Sequence, residues 1–213
     1  MLVIHHLGIS QSERVVWLCE ELGIPYELKR YTRDPVTRLS PPELRALHPM
    51  GTAPVMTDGD VQMAESGAIV QYIIARHGAG RLAPPPGHAD FAAYLYWFHF
   101  VNASLQAQMS RLSLLGRAKV PMDNPAAQGA LERVERSLAM VEQRLGDVPY
   151  LAGAEFTAAD IMMMFTLTTM RYFQPWDYSG YPNVLAYVAR LAQRPAYVAA
   201  MAKGDPGMEL LLT

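Results

Sequence analysis

The chain has 213 residues, a formal net charge of −2 and an apolar fraction of 51%. This length allows one or two domains, and the composition supplies enough apolar side chains for a sizeable core. A nearly neutral chain without a basic patch is not expected to bind nucleic acid, because phosphate binding requires clustered positive charge.

The apolar segments predict no membrane association. The longest apolar stretch, IMMMFTLTTM at 161–170, is shorter than the roughly 20 residues that a spanning helix needs. No basic segment followed by an apolar stretch opens the chain, so a signal peptide is not expected. The single cysteine, Cys19, excludes an intrachain disulfide and a CxxC redox pair, which favours a reducing, cytoplasmic location.

The chain begins with a predicted strand-helix-strand unit. Residues 2–7 (LVIHHL) are rich in β-formers, and residues 25–31 alternate as a second strand does. Between them, apolar side chains recur at helical spacing from Ser12 onward, and Gly23 predicts the helix end. This order and size are typical of a βαβ unit.

A hairpin and another helix are predicted to complete the first domain. A short helix is predicted at 41–47, with proline in its first turn. Two short strands flank the Asp58-Gly59 turn signal, and a helical pattern follows that ends at Gly78. The order β-α-β-(α)-β-β-α indicates a small mixed sheet covered by helices.

The remainder of the chain is predicted to be helical. Residues 80–90 (GRLAPPPGHAD) are interpreted as a linker, because three consecutive prolines continue neither a helix nor a strand. The stretch DIMMMFTLTTMRYF at 160–173 is apolar almost all round and predicts a buried central helix. The predicted fold is therefore α+β, with an α/β domain at 1–79 and an all-α helical domain at 91–213.

One helix start is marked clearly. Thr157 stands at the predicted N-cap, and Asp160 occupies the third helical position, as in a capping box. We interpret both residues as structural, because a buried helix start needs partners for its free N–H groups.

Three polar features fall at the ends of predicted elements in the first domain. Ser10 lies between the first strand and the first helix, Pro54 begins a strand, and Glu65-Ser66 begins a helix. Ligands of open α/β sheets bind at strand ends and helix N-termini, where free N–H groups hold a carboxylate. Two such N-termini suggest an anionic small molecule with a second group to be activated.

The same region also has purely structural interpretations. Ser12 and Ser66 are good N-cap residues, and taken in isolation capping is the favoured role for both. His5 and His6 are interpreted as one core and one surface histidine. Cys19 lies on the apolar stripe of its helix and is interpreted as a buried core thiol, since a catalytic thiol would sit at the helix N-terminus.

Several stretches, in the right order and with the right gaps, resemble the cytosolic glutathione transferase family over essentially the whole chain. The resemblance implies a thioredoxin-like N-terminal domain, an all-helical C-terminal domain, glutathione as co-substrate, no metal, and a homodimer. The matching stretches are HHLGISQSERVVWLCEELGIPYEL, HPMGTAPVM, AESGAIVQYI, YLAGAEFTAADIMM and YPNVLAYVARLAQRPAY.

The resemblance also implies which residues hold glutathione. A cis bond before Pro54 would present the backbone of Ala53 to the cysteinyl part of glutathione. Glu65 would meet the ammonium group of the γ-glutamyl end, and Ser66 with its helix N-terminus would meet the α-carboxylate. Thr52 stands where the family often binds the glycyl end and where many relatives carry Lys, Arg or Gln.

The first loop indicates the catalytic type. Theta-, delta- and zeta-like members place a catalytic serine a few residues before an arginine, and Ser10 before Arg14 fits that spacing. Ser12, which is also a candidate for capping, and His6, where tyrosine-type members carry tyrosine, are the alternatives. A further alternative is activation by the backbone and the helix dipole alone. Ser10 is expected to donate a hydrogen bond to the thiolate, because a free thiol titrates near pH 8.5 and is mostly protonated at neutral pH.

The electrophile is expected to bind between the domains. Four polar side chains recur at helical spacing and form either the wall of the cleft or a solvated face: His99, Asn102, Gln106 and Ser110. Tyr172, Phe173 and Trp176 are alternatively an apolar wall of this site or, as we favour, core residues. The substrate implied by the resemblance is a small hydrophobic electrophile.

Three functions are therefore considered. The leading prediction is conjugation of glutathione to electrophiles, as in detoxification. The second is glutathione-dependent reduction of peroxides or disulfides, as some bacterial relatives perform. The third is a non-catalytic glutathione-binding regulatory protein.

Overall fold

The structure is a computed structural model that describes residues 1–213. The chain divides into two compact units, which are described separately. The first unit comprises Met1–Ala83 and Ala192–Leu210, and the second comprises Pro84–Leu191 and Leu211–Thr213.

The first unit is the predicted mixed sheet with helices. Its four strands have the order β2-β1-β3-β4, in which β1 is parallel to β2 and antiparallel to β3, and β3 is antiparallel to β4. The elements are β1 (Leu2–Leu7), α1 (Glu13–Leu22), β2 (Glu27–Tyr31), α2 (Pro42–Arg45), β3 (Val55–Asp58), β4 (Val61–Ala64) and α3 (Ser66–Arg76), joined by the distant helix Pro195–Gly204.

The strand register brings three connections to one edge of the sheet. Leu7 at the end of β1 pairs with Tyr31, and His5 pairs with Val55 at the start of β3. Val55 in turn pairs with Ala64, the last residue of β4. The segments that follow β1, precede β3 and follow β4 therefore lie together, and we call this edge the Leu7 edge.

The second unit is all-helical, as predicted. Its elements are α4 (Phe91–Phe100), a π-helical turn (Val101–Leu105), α5 (Gln106–Arg117), α6 (Pro125–Asp147), α7 (Ala158–Leu167), a 3-10 turn (Thr169–Tyr172) and α8 (Pro182–Ala192). Helix α7 is buried at every position, which confirms the prediction of a buried central helix. No helix in the chain combines the length and apolar character needed to cross a membrane.

The predicted capping box is present at the start of α7. The Thr157 hydroxyl accepts from the Ala159 N–H at 3.3 Å, and the Thr157 N–H donates to the Asp160 carboxylate at 2.8 Å. Asp160 also accepts from the Leu151 N–H at 2.9 Å and the Tyr187 hydroxyl at 2.8 Å. Three residues, Thr157, Leu151 and Tyr187, therefore donate hydrogen bonds to the buried Asp160 carboxylate, although burial still raises its pKa.

The last helix, Pro195–Gly204, which we number α9, packs in the first unit. The rings of Trp17 on α1 and Tyr197 on α9 meet edge-on with centroids 5.0 Å apart, and both side chains are buried. The predicted boundary placed all of 91–213 in the second domain. The observed division differs from this predicted boundary. No local pattern in the sequence of α9 indicates whether the helix packs on α1 or on the helices that precede it.

Candidate active site

A chain of hydrogen bonds joins the three candidate catalytic residues at the Leu7 edge. The hydroxyl oxygens of Ser10 and Ser12 are 2.7 Å apart, and the Ser12 oxygen lies 2.9 Å from Nδ1 of His6. The Ser10 hydroxyl also lies 2.7 Å from the Leu7 carbonyl oxygen, to which it donates. Ser10 is 6% exposed, whereas Ser12 and His6 are both 0% exposed, so Ser10 alone reaches the surface.

The capping roles expected for the two serines are wrong. Ser12 stands at the N-cap of α1, but its hydroxyl makes no capping hydrogen bond. It is occupied instead by His6 and by the Leu7 N–H, which donates to it at 3.1 Å. Ser66 is the first residue of α3, with Glu65 in the N-cap position, and no side chain caps this helix.

The prediction of one core and one surface histidine is also wrong, since both histidines are buried. Nδ1 of His5 lies 2.9 Å from the Tyr31 hydroxyl. Burial, followed by the charge of Lys29, lowers the pKa of His5. The two residues point to opposite faces of the strand and have separate environments, because side chains alternate along β1.

Asp205, which directly follows α9, is a member of this site that the sequence did not predict. Its Oδ2 lies 3.1 Å from Nε2 of His6, and its Oδ1 accepts from the Ile9 N–H at 2.9 Å. Gly204 allows this approach, since a Cβ there would lie 3.1 Å from Nε2 of His6. His6 and Asp205 are 199 positions apart, and no local pattern connects them.

The loop between β1 and α1 is held in a strained conformation. Ile9 has φ 54°, a left-handed value that is unfavourable for a β-branched residue. Besides Asp205, the guanidinium of Arg33 holds this turn, donating to the carbonyl oxygens of Gly8 at 3.1 Å and Ile9 at 3.0 Å. The loop that carries Ser10 is therefore fixed by two side chains from other elements. Arg33 was not predicted either.

A buried arginine links the starts of α1 and α3. Arg14 donates from Nη1 to the Gln11 amide oxygen at 2.8 Å and to the Ser66 hydroxyl at 3.2 Å. The Ser66 and Gln11 oxygens are themselves 3.4 Å apart. Burial lowers the pKa of Arg14 to about 9, so the guanidinium stays charged at neutral pH. A buried cation beside two helix N-termini favours an anionic ligand.

The remaining residues predicted to bind glutathione also adjoin the Leu7 edge. The peptide bond between Ala53 and Pro54 is cis, and Pro54 is buried immediately before β3. Thr52 is exposed. Glu65 is exposed and has φ 71°, so it directs the chain sharply from β4 into α3.

The residues predicted to line the electrophile site lie in the second unit. His99 is exposed near the end of α4, Asn102 is half-buried in the π-helical turn, and Gln106 is half-buried at the start of α5. Tyr172 is 41% exposed and Phe173 is 42% exposed, so the favoured interpretation of these two as core residues is wrong. π-Helical turns are frequent at functional sites.

Cys19 is a buried core thiol, as predicted. Burial, followed by the charge of Glu20, raises its pKa to about 12. A thiol with this pKa is not nucleophilic at neutral pH.

A four-stranded mixed sheet of this order with its helices, followed by a helical unit, is the architecture of a thioredoxin-like domain joined to an all-helical domain. Two family models match the chain: "Glutathione S-transferase, N-terminal domain" over residues 5–85 and "Glutathione S-transferase, C-terminal domain" over residues 124–190. The chain belongs to the glutathione S-transferase family.

Individual relatives agree with this assignment. The chain is 29% identical to glutathione S-transferase 3 of Schizosaccharomyces pombe, over 92% of this chain and 85% of that one. It is 32% identical to a glutathione S-transferase of Actinobacillus pleuropneumoniae, with a TM-score of 0.87 over 98% of this chain and 95% of that one. A sphingomonad glutathione S-transferase in complex with glutathione is 25% identical, with a TM-score of 0.75 over 95% and 98% of the two chains.

Proposed function

We propose that the protein conjugates the thiolate of glutathione to small hydrophobic electrophiles and that Ser10 stabilises this thiolate. The observation that carries the proposal is the convergence at the Leu7 edge. Ser10, the backbone of Ala53 and the Glu65-Ser66 start of α3 adjoin strand ends that the register places side by side. One extended tripeptide can reach all three.

The γ-glutamyl end of glutathione is assigned to the start of α3. Its α-carboxylate would accept hydrogen bonds from Ser66 and the free N–H groups of the helix, beside the positive charge of Arg14. Glu65 is exposed and would pair with the ammonium group. The backbone of Ala53 would pair with the cysteinyl part, and Thr52 would contact the glycyl end.

Ser10 is assigned to the sulfur because it is the least buried member of the hydrogen-bonded chain, 6% exposed against 0% for Ser12 and His6. Lowering the thiol pKa by about two units requires preferential stabilisation of roughly 2.7 kcal/mol. A hydrogen bond to a charged acceptor contributes about 1.5–3 kcal/mol, and a helix N-terminus adds about 0.3–1 kcal/mol. One hydroxyl at the start of α1 is therefore sufficient, and no nucleophilic role for Ser10 is needed.

The electrophile is assigned to the half-buried and exposed side chains of the second unit. His99, Asn102, Gln106 and Tyr172 offer polar groups and one aromatic surface, which suits a small apolar molecule with a polar leaving group. A cytoplasmic homodimer is proposed from family membership. Light scattering after size exclusion would measure the oligomeric state.

The decisive experiment compares wild type with Ser10→Ala. Wild type is expected to bind immobilised glutathione and to turn over aryl halides or epoxides. The variant is expected to retain binding and to lose about 10- to 100-fold in kcat/KM at neutral pH. Ser179→Ala, at an exposed turn of the second unit, is the control. Turnover of hydroperoxides alone, or an unchanged pH profile in Ser10→Ala, would contradict the proposal.

A further inference from the structure

We propose that Ser10, Ser12 and His6 form a proton relay that carries the thiol proton of glutathione to His6, where Asp205 stabilises the resulting imidazolium. The inference rests on the proposed function, in which the sulfur of glutathione lies against Ser10. His6 and Asp205 do not touch the sulfur; they act through the two serines.

The partners of His6 define its neutral tautomer. An ionised carboxylate only accepts hydrogen bonds, so Nε2 of His6 carries the hydrogen that it shares with Asp205 at 3.1 Å. Nδ1 is then an acceptor, and the Ser12 hydroxyl donates to it across 2.9 Å. The Ser12 oxygen retains acceptor capacity for the Leu7 N–H and for Ser10.

The direction of the remaining hydrogen bond completes the relay. Ser10 has one hydroxyl hydrogen and two acceptors at 2.7 Å, the Leu7 carbonyl oxygen and the Ser12 oxygen. When the Ser10 hydroxyl turns to Ser12, every link points from the surface inward to Nδ1 of His6. The Ser10 oxygen already accepts from the Ser12 N–H at 3.3 Å, and its second lone pair can accept the hydrogen of a thiol.

The proton transfer balances without any further reactant. The S–H bond breaks as its proton passes to Ser10, the Ser10 proton passes to Ser12, and the Ser12 proton passes to Nδ1 of His6. Glutathione becomes a thiolate, His6 becomes an imidazolium, and both serines regain a hydroxyl hydrogen. After the thiolate has formed its bond to the electrophile and the product has left, the proton returns through the serines to water at Ser10.

The Asp205 carboxylate favours the transfer of the proton to His6. An ordinary imidazole titrates about two pKa units below an ordinary thiol, which disfavours the transfer by a factor of about 100. Asp205 offsets this unfavourable factor, because its carboxylate is hydrogen-bonded to the buried imidazole ring of His6. Other charged groups also border the relay: Arg33 on the loop carbonyls, buried Glu13 at the start of α1, and Arg30, the register partner of His6 on β2.

Asp205→Asn distinguishes the proton relay from a purely structural role, in which Asp205 only holds Ile9 and the His6 ring in place. Asparagine has nearly the same shape, and its amide oxygen can still accept from the Ile9 N–H. Its amide nitrogen then donates to Nε2 of His6, which moves the ring hydrogen to Nδ1 and reverses the bond to Ser12. A purely structural role of Asp205 would survive this substitution, whereas the proton relay would be interrupted.

The experiment measures the apparent pKa of bound glutathione from the ultraviolet absorbance of the thiolate. Asp205→Asn and His6→Asn are expected to raise this pKa by about one to two units, and to lower kcat/KM at pH 6.5 by about 10- to 100-fold. The loss should shrink above about pH 9, where free thiol ionises without help. The matched control is Asp58→Asn, which alters the other His–Asp contact of the first unit, between Asp58 and His77.

The outcomes separate the relay from the proposed function. If wild type conjugates glutathione and the apparent pKa of bound glutathione is the same in both variants as in wild type, the relay is wrong and the proposed transferase function stands. If wild type neither binds glutathione nor lowers its pKa, both fail. Should the variants unfold, the nitrogen-15 shifts of His6 in wild type decide: the relay requires that Nδ1 of His6 gain a hydrogen when glutathione binds, and unchanged shifts would overturn it.

Discussion

Arg194 and Glu21 form a two-point ion pair, with Nε to Oε1 at 2.6 Å and Nη2 to Oε2 at 2.8 Å. The same carboxylate accepts from the indole N–H of Trp17 at 2.9 Å. Paired arginine–carboxylate contacts of this kind fix orientation as well as contributing energy. The start of α9 is therefore held on α1, and this places Asp205, at the far end of the helix, beside His6.

Removing this ion pair should destabilise the first unit. In Arg194→Ala, the largely buried Glu21 carboxylate loses its charged partner, and we expect the free energy of unfolding to fall by about 1–3 kcal/mol. Urea titration followed by circular dichroism would measure this change. Arg111→Ala, which removes an exposed arginine of the second unit, should have little effect, and equal losses in both variants would contradict the assignment.

Arg14→Lys should weaken glutathione binding more than catalysis. A lysine keeps the charge, but its ammonium group does not reproduce the planar Nη1 group that donates to both Gln11 and Ser66. We expect the Kd for glutathione to rise about tenfold or more, because a charged hydrogen bond is lost, with a smaller change in kcat at saturating glutathione. Calorimetry and steady-state kinetics would show this split. Arg76→Lys, at an exposed position on α3, is the control.

Cys19 should be unreactive in the folded protein. Burial raises its pKa to about 12, so almost no thiolate is present at pH 8. A thiol-selective chromogenic reagent is expected to label the protein only after denaturation and to leave native activity unchanged. Rapid labelling at pH 8 with loss of activity would instead indicate a reactive thiol near the site.

Asp160→Asn should be strongly destabilising. The carboxylate accepts hydrogen bonds from Leu151, Thr157 and Tyr187, and an amide presents one oxygen and a donor group to these donors. A buried N–H is then left without an acceptor, so the free energy of unfolding should fall by about 2–4 kcal/mol. Thermal unfolding would check this. Asp123→Asn, at an exposed residue, should unfold as wild type does.

The contact between Asp58 and His77 should contribute to stability only above strongly acidic pH. The hydrogen bond from His77 lowers the pKa of Asp58, so its contribution is complete above the unfolded pKa near 3.9 and is lost as the pH falls through the lower folded pKa. The stability difference between wild type and Asp58→Asn should therefore shrink below about pH 4. Urea midpoints across this range would measure it. Asp60→Asn, in the same turn, should show no such dependence.

The sequence predicted the elements where one local signal decided them. The left-handed Gly23 ends α1, and Gly59, with φ 59°, makes the turn between β3 and β4. Thr157 and Asp160 form their capping box from residues three positions apart. In each case the physical cause lies within a few residues, so the pattern identifies it.

The part of the site that the sequence missed consists of contacts between distant residues. Ser12 satisfies every local criterion for a cap, yet His6 and the end of β1 occupy its hydroxyl. Arg33 and Asp205 reach the loop from the segments that follow β2 and α9, and no spacing along the chain encodes these contacts. Charged side chains that hydrogen-bond a loop from distant parts of the chain follow no sequence periodicity, so no local pattern indicates them.

The packing of α9 on α1 also has a consequence for biosynthesis. His6 and its partner Asp205 are 199 positions apart, so Asp205 leaves the ribosome long after His6. Because contacts of such long sequence separation form only once both segments are present, the loop around Ser10 is completed only after α9 has been made.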